Sequence, residues 1–304
     1  MTSPPENLDA TDLSKVADLL RLCRTAFLKM SEADRWEPAI GSRAEADRLA
    51  LDGVDPHPSA PHRMAGHDLV REQVASFLEV ASLQLNSASA LVESDFPLLA
   101  IESLGRSAIE AAAHAVTLLH PDDTARERLA KAYVLESQSA ANSEKIAPMR
   151  PEFDKVSSRG DLDSVLDRAR AIFTEVDTDK VKKDRIGEIY RFPGYTQLTA
   201  DFINLLRMRG GLTIAPDLVD PIYRYLSSST HPALFRVEDL RVYGSDRSTS
   251  LRHQPGDMVA GVRLVVGLYV ITLWSVCDYF GWDKKPTTPI WDALDELFPG
   301  TVSA

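Results

Sequence analysis

One short segment, Pro221-Ile-Tyr-Arg-Tyr-Leu-Ser-Ser-Ser-Thr-His231, carries side chains that could act on a phosphodiester. In a helix each residue turns by about 100°, which places Arg224, Ser227, Ser228 and His231 in one arc, with Ile222, Leu226 and Ser229 opposite. A guanidinium can fork onto phosphate oxygens, and imidazole is the side chain best suited to exchange a proton near neutral pH. The same arc also describes a solvent-facing stripe. The residues alone leave catalysis and a solvated face both open.

A second polar row lies upstream. Glu102, Arg106, Glu110 and His114 recur at every fourth position of an otherwise apolar stretch. That spacing allows Glu102–Arg106 and Arg106–Glu110 pairs, each contributing about 0.2–0.5 kcal/mol if exposed. If the row faces the Arg224 helix, Glu110 would orient His231 or pair with Arg224, with Arg106 supporting it. Ala108, Ala111, Ala112, Ala113 and Ala115 around the row favour close helix contact and burial over a solvated stripe.

His57, His62 and His67, with Asp55 and Asp68, form a third grouping. Imidazole and carboxylate suit zinc or another transition metal, but this spacing follows no metal motif, and a proline-rich loop explains it better. No metal and no cofactor is expected. The chain carries no GxGxxG, Walker A, GxSxG or HExxH pattern, which argues against nucleotide-dependent hydride transfer, P-loop hydrolysis and zincin chemistry.

These groups must be positioned by helices. Periodicity and stop signals predict helices over 11–30, a short run near 42–51, then 67–92, 97–119, 124–146, 161–175, 196–209, 221–231 and 258–280. In the third of these Val70, Val74, Phe77, Leu78, Ala81, Leu85, Ala88 and Val92 fall on one face. Thr124 and Glu127 fit a capping box, Asp220-Pro221 an N-cap and first-turn pair, and Gly281 a C-terminal stop. Asp177 to Arg185 reads as a charged connector, and 234–253 as irregular or weakly stranded. The fold class is all-α: a multi-helix bundle over 67–304, preceded by an N-terminal helical appendage and linker over 1–66. Whether that first helix packs on the body is left open.

The chain has 304 residues, 44% of them hydrophobic and 26% charged, enough for a substantial core. A net charge of −11 argues against a broad surface for duplex DNA or anionic membrane, though not against a small cationic pocket. Two cysteines far apart, Cys23 and Cys277, offer no disulfide framework, and the N-terminus shows no signal peptide; a soluble cytoplasmic protein is expected. The uninterrupted apolar run Leu264 to Cys277 is shorter than the roughly 20 residues a membrane helix needs, so it reads as a core helix.

With those residues in view, Arg224 to His231 resembles the Arg-x(4–6)-His signature of the HEPN superfamily of helical bundle proteins. The run Tyr223 to Pro232 is also similar to a Tyr-Arg-x-Leu-Ser-x-x-x-His-Pro segment of bacterial helical proteins, which follows an Arg-x-x-x-Glu helix matched here by Arg106 and Glu110. The resemblance covers roughly residues 67–280. It implies metal-independent RNA cleavage of the toxin or phage-defence kind, with RNA as substrate and a homodimer as the working form. His231 would activate the ribose 2′-hydroxyl or protonate the leaving group, and Arg224 would steady the phosphate. The alternative is a non-catalytic interaction or regulatory module whose polar stripe binds a partner or a small anion.

Overall fold

A computed structural model describes residues 10–55, 66–93, 98–146, 162–208, 241–243, 249–251 and 255–298, together with Pro221 and Arg224. The described residues are mostly helical: α1 (Ala10–Asp34), α2 (Arg43–Ala50), α3 (Gly66–Glu93), α4 (Leu98–Leu118), α5 (Ala125–Ile146), α6 (Leu162–Ile172), α7 (Tyr195–Met208), α8 (Pro255–Phe280) and α9 (Thr288–Leu297). The expected all-α class holds.

Helix α3 lies between α1 and α4, and α8 runs along α4. The apolar face read in α3 is the buried one, from Val70 and Val74 through Leu78, Ala81 and Leu85 to Ala88 and Val92. Alanines 108, 111, 112, 113 and 115 of α4 are all buried, and Gly105 lets Val265 of α8 approach closely. The capping box at α5 forms: the Thr124 amide donates to Glu127 Oε2 at 2.6 Å, and the Glu127 amide donates to Thr124 Oγ1 at 3.2 Å. Helix α8 includes Met258–Phe280, long and apolar enough to cross a membrane, yet 72% of its most apolar window is buried within the protein. Cys23 and Cys277 are buried free thiols.

The first helix packs on the body. Val16, Leu19, Leu20, Cys23, Phe27 and Met30 are buried in the same core as α3, α4 and α8. Two buried carboxylates fasten the segment that follows. Asp47 Oδ2 accepts from Arg128 Nη1 at 2.9 Å and from the Tyr279 hydroxyl at 2.7 Å. Asp55 Oδ2 accepts from the Tyr133 hydroxyl at 2.7 Å and the Gly66 amide at 2.9 Å, while its Oδ1 takes two N–H groups of Arg168.

The connector read as merely charged contains structure. Val181–Lys182 (β1), Arg185–Ile186 (β2) and Tyr190–Arg191 (β3) form a small antiparallel sheet in the order β1-β2-β3. Val181 and Ile186 enter the core, while Lys182 and Lys183 between them are exposed. Further on, Arg241–Tyr243 (β4) pairs antiparallel with Thr249–Leu251 (β5), within the stretch read as weakly stranded. Helix α9, which the sequence reading did not assign, buries Ile290 and Leu294 one turn apart.

The ends of α1 and α8 meet. Trp36 packs against Phe27, Phe280 and Trp282, and Trp282 Nε1 donates to the Glu37 carbonyl at 2.8 Å. Gly281 stops α8 with φ +74°, and a Cβ there would sit 3.0 Å from the Cβ atoms of Ala39 and Ser42. Left-handed backbone and crowding act together, so Gly281→Ala is expected to destabilise the protein by about 2–4 kcal/mol. Urea unfolding should show a lowered midpoint with an unchanged slope.

Candidate functional site

Pro221 and Arg224 both lie in α-helical backbone, and Arg224 is exposed. Ser227, Ser228 and His231 lie outside the described residues, so the arc predicted for them has no geometry to report. On α4, Arg106 Nε donates to Glu110 Oε1 at 2.8 Å, the pairing the spacing allowed. Their side chains are 14% and 22% exposed, so the pair sits at the edge of the bundle rather than on an open stripe. Glu102 and His114, the two ends of the row, are buried.

Of the loop histidines, His57 and His62 lie outside the described residues. His67 is buried, near Tyr279 and Phe280, and neither of its ring nitrogens has a hydrogen-bond partner among the described residues. Desolvation is the main reason its pKa falls to about 4; Asp47 and Asp68 oppose the shift, while Arg71 and Arg48 add to it. Asp55 is taken up by Tyr133, Arg168 and Gly66, and Asp68 pairs with Arg71. Among the described residues no group of three or more His, Cys, Asp or Glu is placed to hold a metal ion.

The structure reveals a groove that the sequence reading did not identify. It holds about 370 Å³ and is lined by residues of α3, α5 and α6, with His114 of α4 and Tyr195 at the start of α7. The His114 ring stacks on Phe77 with centroids 4.6 Å apart and planes 12° apart. Phe192, just after β3, lies nearly parallel to the same ring at 5.8 Å, and Tyr195 meets it edge-on. Burial pushes the His114 pKa down to about 4, so the imidazole is neutral at pH 7. No hydrogen bond reaches either ring nitrogen among the described residues.

The rest of the lining is mixed: Leu69, Val80, Leu135 and Val165 are apolar, and Glu72, Gln73, Glu136, Gln138 and Asn142 supply carboxylates and amides. Glu72 of α3 is exposed and Glu136 of α5 is half-buried, and neither is paired with a cation among the described residues. Gln73 is 8% exposed; its Nε2 donates to the Ala132 carbonyl at 2.9 Å, leaving Oε1 buried without a donor. Arg168 lines the groove too, but it directs Nε and Nη2 at Asp55 Oδ1. The groove is thus rich in acceptors. The sequence carried one trace of it: His114 is set in an alanine-rich helix where a solvated side chain does not belong.

A second cavity, of about 430 Å³, lies between α5, β3 and α7 and includes His120, Lys131, Tyr190, Arg191 and Asp201. Its lysine is engaged: Lys131 Nζ donates to Asp123 and to the Thr117 carbonyl and sits over the Tyr190 ring. The chain matches no protein-family model, no curated protein and no solved structure.

Proposed function

We propose that the protein is a HEPN-like, metal-independent ribonuclease of the toxin or phage-defence kind, with Arg224 and His231 as its reacting pair. Exposed Arg224, in helical backbone after Pro221 as the spacing requires, carries this reading. A guanidinium so placed can meet a phosphate from solvent without first giving up burial. The all-α architecture and the Arg106–Glu110 pair agree with the resemblance. His231 would take the proton of a ribose 2′-hydroxyl, whose oxygen attacks phosphorus as the bond to the 5′ oxygen breaks, and the departing 5′ oxygen takes a proton from water. Arg224 would hold the charge that gathers on the phosphate oxygens. Ser227 and Ser228 would offer hydroxyl contacts, and a homodimer would bring two such faces together.

The test is RNA cleavage in excess chelator by wild type, His231→Ala and Arg224→Ala. Loss of the acid–base group should slow cleavage by about 10²–10⁴-fold. Equal cleavage by His231→Ala, or none by the wild type on any RNA, would overturn the proposal.

A second reading, a non-catalytic interaction or regulatory module, draws on the acceptor-lined groove around His114. It predicts ligand binding by a protein that leaves RNA intact.

A further inference from the structure

We propose that the groove between α3 and α5 is a binding site for a small organic cation bearing ammonium or guanidinium groups. The inference does not depend on ribonuclease activity. The chemistry of the lining selects the ligand. Glu72 and Glu136 offer two carboxylates without cationic partners among the described residues, and the side-chain amides of Gln138 and Asn142 add carbonyl acceptors to the lining. Carboxylates without partners favour an incoming cation, which gains charge-assisted hydrogen bonds and displaces only water.

His114 supplies an independent observation. Its ring is 7% exposed, lines the groove, and has both nitrogens without hydrogen bonds among the described residues. A neutral imidazole keeps one lone pair for an N–H donor. Phe77, Phe192 and Tyr195 hold the ring in one orientation, so its free lone pair is fixed before a ligand arrives. Phe77 and the half-exposed Tyr195 add π-faces for the alkyl stem and the charge of such a cation.

An anion would fare badly there. The guanidinium in the lining points two N–H groups at Asp55, and the two glutamates would repel a second negative charge. The volume suits a molecule of metabolite size rather than a folded partner.

Agmatine, which joins an ammonium and a guanidinium by a short alkyl chain, is the probe. Calorimetric titration of the full chain at pH 7.5 should give saturable one-site binding. Butanediol and succinate, neutral and anionic counterparts, should give none. Glu136→Gln should weaken agmatine about tenfold, and the Glu72→Gln, Glu136→Gln double variant about a hundredfold, as loss of charge-assisted hydrogen bonds requires. Asp295→Asn, on the exposed face of α9, should leave affinity unchanged and so separate the groove from the general acidity of the surface. Matching thermal melts check that each variant is folded. No saturable binding by the wild type, full affinity in the double variant, or equal weakening by Asp295→Asn would each overturn the proposal.

Discussion

Arg128→Met is expected to destabilise the protein by about 3–5 kcal/mol, the cost of leaving a buried carboxylate without its cation. Arg128 is 1% exposed and donates to Asp47 Oδ2 at 2.9 Å and to the His120 carbonyl at 2.7 Å. Methionine fills much of the same volume but returns neither bond. Among the described residues Asp47 would keep only the Tyr279 hydroxyl. Since whole domains are stable by about 5–15 kcal/mol, this one change takes a large share. Pairing it with Asp47→Leu should recover part of the loss, because the double variant no longer buries a lone charge. Urea unfolding of the four proteins gives the cycle, and strictly additive losses would show that the pair acts as two separate groups.

Acid should destabilise the protein through His67 and His114, the two buried histidines among the described residues. Both fall to about 4 on folding from an ordinary 6.5, with desolvation the first cause in each case. Between those values the unfolded chain binds a proton that the folded chain refuses. The stability each histidine contributes is therefore complete above pH 6.5 and is lost as pH falls toward 4. The loss is about 3 kcal/mol for each ring. Urea unfolding from pH 7.5 to 4.5 should show His67→Phe and His114→Phe each losing less stability than wild type. Phenylalanine at position 67 should cost little at neutral pH, since neither ring nitrogen there makes a hydrogen bond. Identical pH profiles in wild type and variants would refute the assignment.

The elements visible in the sequence were those with several turns of consistent burial. Helix α3 shows this through Val70 to Val92, and Thr124 with Glu127 marked the start of α5 locally. The β1–β3 sheet was hidden because two-residue strands hold too little alternation to register as a period. Arg128 reads as a surface charge in Ala-Arg-Glu-Arg-Leu-Ala-Lys, and only Asp47, 81 positions away, explains its burial. The groove was illegible for the same reason. His114 acquires its setting from Phe77, Phe192 and Tyr195, which local spacing cannot relate to it. Arg106 and Glu110 met as their four-residue spacing allowed, because that contact is made within one helix.

Asp55 ties four stretches of chain to one carboxylate: its own, the start of α3 at Gly66, α5 through Tyr133 and α6 through Arg168. Releasing the segment that carries it would strand a guanidinium, a phenol and an amide together, not one after another. Partial opening is therefore penalised more steeply than its lost contact area would indicate. The segment around α2 should behave as one cooperative unit with α5 and α6, and it is poorly suited to serve as an arm traded between copies.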